Sequence, residues 1–183
     1  MPRQRLRPPA PLRLAVSGFT WRLATRADLP RVVEIYNQTI PSRRVTADLE
    51  PVSVDSRETW FAMHRPGVRP LWVAECDGCI AGWLSFSSFY GRPAYDGTAE
   101  LSVYVDLPCR RAGLGHFLLN EALREAPSLG LHTLLGFIFG HNEPSLALFR
   151  AHGFETWGHL PRVAVLDGVE RDLMILGRRV GKG

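Results

Sequence analysis

Residues 100–105 alternate between apolar and polar side chains, which predicts a β-strand because neighbouring side chains of a strand point to opposite faces. The polar face carries Glu100, Ser102 and Tyr104. The apolar face carries Leu101, Val103 and Val105. Pro108 ends the strand, since proline has no N–H to donate to a sheet. Beyond it, small and apolar residues recur at helical spacing and predict a helix with one buried face: Gly115, Leu118, Leu119, Ala122, Leu123 and Ala126.

The same periodicities predict the other elements of the chain. Strands are expected over residues 20–24, 71–75, 80–86, 133–139, 154–160, 163–166 and 169–176. Helices are expected around residues 29–36, 55–63 and 143–152, with Thr25 or Asp28 capping the first and Asn142 the last. This order predicts an α+β fold in three layers: a mixed, mostly antiparallel central sheet, helices on both faces, and one parallel strand–helix–strand unit.

Length and charge indicate one domain that does not bind nucleic acid. At 183 residues the chain can bury a core of its own, and we assign a single domain to residues 19–179. The net charge of +4 comes from four arginines near the start, Arg3, Arg5, Arg7 and Arg13. The other 18 basic residues balance the 18 acidic ones, so the folded part is no polycation. No apolar run approaches the roughly 20 residues of a membrane span, and we expect a cytoplasmic protein.

Residues 1–18 are rich in arginine and proline, and we expect them to be disordered. They lack the apolar segment of a secretory signal. A start assigned upstream of the natural one is the second explanation for them, and the intact mass of the native product distinguishes the two.

The three cysteines do not suggest a disulfide framework, because an odd number cannot all pair. Cys76 and Cys79 have a spacing found in zinc sites, but no second Cys or His pair accompanies them. The Asp77-Gly78 dipeptide between them is a strong hairpin signal, so we interpret both cysteines as flanking a tight turn. No metal is expected, and Cys109 is taken as structural.

The segment from Arg110 to Gly115 has the pattern R-x-x-G-x-G and lies between the predicted strand and helix. A glycine-containing turn that opens a helix presents unpaired N–H groups at the positive end of the helix dipole, and such a turn binds phosphate. The dinucleotide fingerprint needs a third glycine where Leu118 stands, and the Gly-Lys-Ser/Thr of a P-loop is absent.

From Trp21 to Leu176 the chain resembles the phosphinothricin acetyltransferase branch of the GCN5-related N-acetyltransferase (GNAT) superfamily. The motifs that carry the resemblance are Ile35-Tyr36-Asn37, Thr98–Val105, Arg110–Gly115, Asn142–Ser145, Gly153-Phe154 and Gly158-His159-Leu160. The resemblance implies a GNAT-like fold, acetyl-CoA as cosubstrate and a homodimer. It also implies transfer of acetyl to the amine of a small amino-acid-like compound, such as phosphinothricin or methionine sulfoximine, by direct attack in a ternary complex.

Roles for particular residues follow from the resemblance. Glu100 is expected to be the general base that takes a proton from the acceptor ammonium, the alternative being a strand-end acid that only shapes the pocket. The residues expected to contact acetyl-CoA are Val103, Tyr104, Val105, Arg110, Arg111, Ala112, Gly113, Leu114, Gly115, His116, Asn142 and Ser145. The residues expected to contact the acceptor are Tyr90, Arg92, Tyr95 and Ser102, with Arg92 as the candidate partner of a carboxylate.

One residue departs from the pattern. The superfamily often has tyrosine, and this branch histidine, where Phe149 stands, and phenylalanine cannot protonate the leaving thiolate. Water or another residue such as Tyr104 is then needed for that step. Two other functions stay open: acetylation of protein or peptide amines, and a CoA-binding sensor without turnover.

Overall fold

The computed structural model describes residues 18–181, so the expectations for residues 1–17 lie outside the described residues. Seven strands and four α-helices follow one another along this part of the chain. In order they are β1 (Thr20–Leu23), α1 (Leu29–Asn37), α2 (Glu58–Met63), β2 (Leu71–Cys76), β3 (Cys79–Ser88), β4 (Thr98–Val105), α3 (Leu114–Glu125), β5 (Thr133–Phe139), α4 (Glu143–Ala151), β6 (Glu155–Leu166) and β7 (Val169–Arg179).

The strands form one sheet in the order β1-β2-β3-β4-β5-β7-β6. Every neighbouring pair is antiparallel except β4 and β5, which run parallel and are connected through α3. Two parallel strands need such a crossover because the chain must return to the end of the sheet at which the first strand began, which a tight turn cannot do. The predicted fold class, a mixed and mostly antiparallel sheet with one parallel strand–helix–strand unit, is confirmed.

Two hydrophobic clusters cover the two faces of the sheet. The larger cluster packs α3 and α4 against the sheet and contains Leu118, Leu119 and Leu134, all fully buried. The smaller one lies under α1 and is built around Ile35, Val73 and Trp83. The indole N–H of Trp83 donates to Val32 O at 3.0 Å, which fixes the position of α1 over β3.

The parallel pairing of β4 with β5 stops early. It includes Thr98, Ala99 and Glu100 of β4, and the last pair joins Glu100 to Leu135. Both strands continue beyond it, to Val105 and Phe139. The two strands therefore separate after Glu100, and one edge of β4 has no β5 partner over residues 101–105.

Local signals in the sequence correspond to the observed turns and caps. Asp77 and Gly78 have φ of 50° and 77°, as a tight hairpin turn requires, and they connect β2 to β3. Gly153 ends α4 in the left-handed region at φ 73°, as expected of a helix C-cap. Asp28 lies directly before α1, and its carboxylate accepts a hydrogen bond from Thr25 N at 2.7 Å.

Strand β6 differs from the sequence-based expectation. Residues 154–160 and 163–166 were expected to form separate strands, whereas β6 is continuous and only its pairing with β7 is interrupted between Leu160 and Ala164. Pro161 has no N–H for the ladder and Arg162 has φ of 54°, so the chain bulges there without leaving the sheet edge. No helix among residues 18–181 is long and apolar enough to cross a membrane.

Candidate active site

Glu100 lies at the point where β4 and β5 separate. It is opposite Ser87 of β3 and is half-buried, in agreement with the predicted alternation of faces along β4. Burial raises the pKa of its carboxyl group above the usual value, because a charged carboxylate loses hydration there. A carboxylate whose pKa moves toward neutrality is a better proton acceptor for an ammonium group than an ordinary glutamate.

A cavity of about 220 Å³ opens on this face of β4, between the sheet and the two N-terminal helices. Its walls are mostly aromatic, hydroxyl-bearing and aliphatic. They are formed by Val32, Val33, Tyr36, Val52, Arg57, Trp60, Trp83, Ser85, Ser87, Glu100, Ser102 and Tyr104. Of these twelve residues, Glu100 and Arg57 are the charged ones. The cavity is thus the size of a small molecule and carries one negatively charged side chain, Glu100, and one positively charged side chain, Arg57.

The aromatic residues of this cavity pack against one another. The ring of Tyr104 lies 4.3 Å from that of Trp83 in a parallel arrangement, and 5.1 Å from that of Tyr36. Trp60 of α2 packs edge-on against Trp83 at 5.7 Å. Burial raises the pKa of Tyr104, so its hydroxyl keeps its proton throughout the neutral pH range.

The segment between α1 and α2 forms one wall of the cavity through Val52 and Arg57. Asn37 holds it by two hydrogen bonds to the backbone of Val52, donating to its carbonyl at 2.9 Å and accepting from its N–H at 3.0 Å. Tyr36 donates to the carboxylate of Asp48 at 2.5 Å. The side chains of the Ile35-Tyr36-Asn37 motif therefore have structural partners: Ile35 is in the core, and the next two residues fix the cavity wall.

The predicted phosphate loop directly precedes α3. Arg111 and Gly113 both have positive φ, 63° and 88°, and α3 begins at Leu114. Residues 111–113 are exposed, so the backbone at the helix N-terminus is open to a ligand. Gly115 has a different reason to be glycine: a Cβ there would lie 2.9 Å from Leu148, so its absence lets α4 approach α3 closely.

The side chain of His116 is bound to another part of the protein. Its Nδ1 lies 3.0 Å from Nε2 of His152, at the C-terminal end of α4. Burial, with the nearby His116 and Arg178 charges, lowers the pKa of His152. His116 is therefore available to a cofactor through its backbone N–H, while one ring nitrogen is used within the protein.

A second cleft, of about 50 Å³, lies between the separated ends of β4 and β5. It is lined by Val45, Leu101, Ser102, Val103, Tyr104, Phe137, Ile138, Asn142, Ser145 and Phe149. Asn142 caps α4 by accepting from Ser145 N at 3.4 Å, which confirms the predicted N-cap. Phe149 is buried and packs on Phe154 with ring centroids 4.9 Å apart.

The backbone of β4 presents hydrogen-bond donors to this cleft. Asp106 N donates to Ala81 O of β3 at 2.9 Å. Because N–H groups alternate in direction along a strand, those of Tyr104 and Ser102 also point toward β3. Those of Val105 and Val103 point the other way, toward β5, where the parallel pairing has already stopped. Two strand N–H groups are thus directed at the cleft.

The predicted acceptor residues fall in two places. Ser102 lines the cavity beside Glu100, whereas Tyr90, Arg92 and Tyr95 lie on an exposed loop between β3 and β4 and are not among the residues lining it. The rings of Tyr90 and Tyr95 pack around Phe89, 4.8 and 5.4 Å away. Arg57, Trp60 and Trp83 also line the cavity but could not be assigned to it from the sequence, because nothing local marks a residue whose partners are distant in the chain.

Among residues 18–181, no group of three or more His, Cys, Asp and Glu side chains is placed to hold a metal ion. Cys76 and Cys79 face each other beside their hairpin turn, and both have free thiols. Cys109 is also a free thiol in the described part of the chain.

The fold is that of an N-acetyltransferase, as the similarity to known proteins shows. The family model for the Acetyltransferase (GNAT) family matches residues 29–154. The chain is 56% identical over 163 residues to a Bacillus subtilis protein provisionally named phosphinothricin acetyltransferase YwnH, covering 88% of this chain and 99% of that one. It is 33% identical over 151 residues to an L-methionine sulfoximine/L-methionine sulfone acetyltransferase of Pseudomonas paraeruginosa, covering 82% and 88%.

A solved structure gives the same result. The GNAT superfamily phosphinothricin acetyltransferase of Sinorhizobium meliloti, determined in complex with acetyl-CoA, superposes with a TM-score of 0.85 at 30% identity, over 91% of this chain and 90% of that one. The chain belongs to the GNAT acetyltransferase family, and it is an N-acetyltransferase that uses acetyl-CoA.

The residues present fit acetyl-CoA. Its pyrophosphate needs backbone donors and positive charge, which the exposed loop before α3 and Arg110 and Arg111 can supply. Its amide-containing arm needs a strand edge without a partner, which β4 offers after Glu100. Strand β4 thus meets one requirement, and the loop that follows it in the chain meets the other.

Proposed function

We propose that this enzyme acetylates the amine of a small amino-acid-like acceptor, of the phosphinothricin or methionine sulfoximine type, by direct attack in a ternary complex. The observation that carries the proposal is the position of Glu100, which lines a cavity of about 220 Å³ and lies on the strand whose other edge faces the cofactor cleft. The printed names of the relatives support the class of acceptor.

Glu100 has the role of general base in this proposal. An amino acid enters as an ammonium ion, which has no lone pair for attack, so a proton must be removed first. The raised pKa of Glu100 suits this transfer, made directly or through one water molecule. Ser102, the next residue along the same face of the strand, is a hydroxyl partner for the acceptor.

The cofactor contacts are proposed on backbone groups. Acetyl-CoA supplies the acetyl group as a thioester. The N–H groups of Val103 and Val105, on either side of Tyr104, bind its carbonyl and its amide arm. Those of Arg111, Ala112, Gly113, Leu114, Gly115 and His116 surround its pyrophosphate, with Arg110 adding charge. Asn142 and Ser145 line the same cleft and bind the arm from α4.

The leaving CoA thiolate must receive a proton, and this proton has two candidate sources. Phe149 has none to give, so the donor is water or Tyr104. Tyr104 lines both the cavity and the cleft, and burial raises its pKa, which keeps the proton in place but makes Tyr104 a weaker acid than an ordinary tyrosine.

Three further features of the protein are proposed with the activity. Residues 19–179 form one domain, and the protein works in the cytoplasm as a homodimer. Strand β6 and the start of β7 support the dimer, because they expose apolar side chains on a sheet edge: Trp157, Leu160, Val163, Val165 and Val169. Light scattering during size-exclusion chromatography measures the oligomeric state.

Tyr90, Arg92 and Tyr95 remain our predicted acceptor contacts from the exposed loop.

The test of the function is release of free CoA from acetyl-CoA against a panel of amines. The panel contains phosphinothricin, methionine sulfoximine, methionine sulfone, common amino acids, polyamines and a short peptide, and mass spectrometry identifies the N-acetyl product. We expect turnover confined to the first three compounds. Turnover of the peptide alone would indicate a protein acetyltransferase. Acetyl-CoA binding without any product would indicate a sensor, and either result would overturn the proposal.

A further inference from the structure

Arg57 is a charged residue of the acceptor cavity that the proposed chemistry does not use. It lies in the short turn of residues 55–57 before α2, and its side chain is only 26% exposed. It lines the same cavity as Glu100, together with aromatic and hydroxyl groups. A guanidinium in such surroundings has lost hydration and is costly to keep there unless it has a partner.

The protein itself supplies two contacts to the guanidinium of Arg57. One Nη2–H of Arg57 donates to Asp48 Oδ2 at 2.9 Å, and the guanidinium carbon lies 4.7 Å from the ring centre of Tyr36. A guanidinium has five N–H groups, and within residues 18–181 this is the one hydrogen bond that the side chain of Arg57 makes. Most of its donors therefore stay available to a ligand in the cavity.

The position of Arg57 is fixed before any ligand arrives. The oxygen of Asp48 that binds Arg57 also accepts from Tyr36, at 2.5 Å. Asn37 clamps the same segment of chain through Val52. A donor held in place in this way loses little conformational entropy on binding, so its hydrogen bonds contribute more to affinity.

We propose that Arg57 binds the acidic group of the acceptor while Glu100 faces its amine, so that the cavity selects zwitterionic amino acids over plain amines. The two charged residues of the cavity then match the two charges of the ligand. Arg57 is a specificity-determining residue in this assignment, and Tyr36, Asn37 and Asp48 are positioning residues. The inference rests on the proposed function, because it concerns the same cavity.

The acidic group has two possible sources on one ligand, the α-carboxylate and a side-chain oxyacid such as phosphinate. Both offer two oxygens to a guanidinium fork. Methionine sulfone has only the carboxylate, methionine sulfone amide has neither, and phosphinothricin has both. These three acceptors share a free α-amine, so they separate the sources without changing the group that is acetylated.

The experiment compares wild type with Arg57→Gln, Arg57→Lys and a control, Arg65→Gln, which removes an exposed arginine outside the cavity. We expect Arg57→Gln to raise KM for methionine sulfone by about 10- to 100-fold, the value of a hydrogen bond to a charged group, with a much smaller change in kcat. Wild type should lose a similar factor on the amide, on which Arg57→Gln has little further effect. Arg57→Lys should recover part of the loss, and Arg65→Gln should match wild type.

A binding measurement makes the test independent of turnover. Trp60 and Trp83 line the cavity, so acceptor binding to the enzyme saturated with CoA is followed by tryptophan fluorescence. Circular dichroism and acetyl-CoA affinity verify that each variant is folded. If the affinity for phosphinothricin falls while that for methionine sulfone does not, the acidic group is the phosphinate. A fall for both ligands, with the amide unaffected, identifies the carboxylate.

The inference is overturned if Arg57→Gln lowers the affinity for the amide and for the two acids equally, because Arg57 would then only shape the cavity wall. It is also overturned if the substitution lowers the affinity for none of the three. Failure of the proposed function gives a different result, since wild type would then form no N-acetyl product from any of the three acceptors. Fluorescence still decides the role of Arg57 in that case.

Discussion

The cofactor side and the acceptor side of this site are built in different ways. Most of the cofactor side comes from one continuous stretch, in which β4, the loop from Arg110 and α3 follow one another, and α4 adds Asn142 and Ser145. The acceptor cavity is assembled from α1, the segment up to Arg57, α2, β3 and β4, which are far apart in the chain. The cofactor side therefore depends mainly on local sequence, whereas the acceptor side depends on how distant segments of the chain pack together.

Strand β4 joins the two sides. Its side chains Glu100, Ser102 and Tyr104 face the cavity, and its N–H groups at Val103 and Val105 point to the cleft. Side-chain substitutions on one face should therefore change acceptor chemistry without changing cofactor affinity. Backbone changes in the loop should do the opposite.

The largest effect is expected for Glu100→Gln, which removes the proposed base and keeps the size of the side chain. We expect kcat to fall by about 10²- to 10⁴-fold, the usual contribution of a general base. Acetyl-CoA affinity should stay unchanged, because the carboxylate is on the acceptor side. Steady-state kinetics and calorimetric binding measure the two, with Glu155→Gln, an exposed residue at the start of β6, as the matched control. Equal losses of kcat and acetyl-CoA affinity would contradict the division of the site.

Gly113→Val should damage the cofactor side alone. At φ 88° a β-branched residue is strained, and its side chain points into open space beside the exposed N–H groups. We expect acetyl-CoA affinity to fall by about 100-fold, since each charge-assisted hydrogen bond lost costs about 1.5–3 kcal/mol.

The control for this variant is Gly130→Val, in the connection from α3 to β5. Gly130 has φ of 71° and equally open surroundings, so the substitution imposes similar backbone strain away from the loop. Both variants should lose similar stability in urea unfolding, but only Gly113→Val should lose cofactor affinity. Normal acetyl-CoA binding by Gly113→Val would reject the loop assignment.

Asn37→Ala should loosen the acceptor side alone. It removes the two hydrogen bonds to Val52, and we expect a loss of about 1–3 kcal/mol in the free energy of unfolding. The acceptor KM should rise severalfold because Arg57 is less firmly held, while acetyl-CoA affinity is retained. Asn120→Ala, on the exposed face of α3, is the control. A rise in the Kd of acetyl-CoA would show that the two sides are not separate.

The smallest effect is expected in the pH dependence of stability. Because burial raises the pKa of Glu100, its protonated form is favoured in the fold, and the stability it provides is present at low pH and lost as pH rises through the folded-state pKa. Glu100→Gln should therefore equal wild type at pH 4 and be more stable at pH 8, by about 1.4 kcal/mol for each tenfold increase in proton affinity that folding gives the carboxylate. Thermal unfolding at the two pH values measures it, and a variant less stable than wild type at pH 8 would contradict the burial cost.

Much of the cofactor side could be predicted from the sequence because its signals are local. The alternation of residues 100–105, the stop at Pro108 and the helical spacing after Gly115 each depend on neighbours a few residues away. Glycine and proline also located the Asp77-Gly78 turn and the end of α4 at Gly153. The fold class followed from the order of these elements.

The acceptor cavity could be predicted only in part. The alternation placed Glu100 and Ser102 on one strand face, and the family resemblance supplied their roles. Tyr36 and Asn37 were noted as a motif without a role. Arg57 could not be found, because its partner Asp48 and its place beside Glu100 depend on how α1 and α2 pack on the sheet. The continuity of β6 was missed for a similar reason: Pro161 is a strand breaker locally, but the pairing with β7 resumes beyond it.

The central claim is that Glu100, with its raised pKa, accepts the proton of an amine bound in the cavity. The most direct test is the pH dependence of kcat/KM for methionine sulfone in wild type and in Glu100→Gln. The wild-type rate should fall as pH drops through a pKa above the usual glutamate value, because protonation removes the base. Glu100→Gln should be slow and lack this acidic limb. An acidic limb that persists unchanged in Glu100→Gln would assign the base to another group.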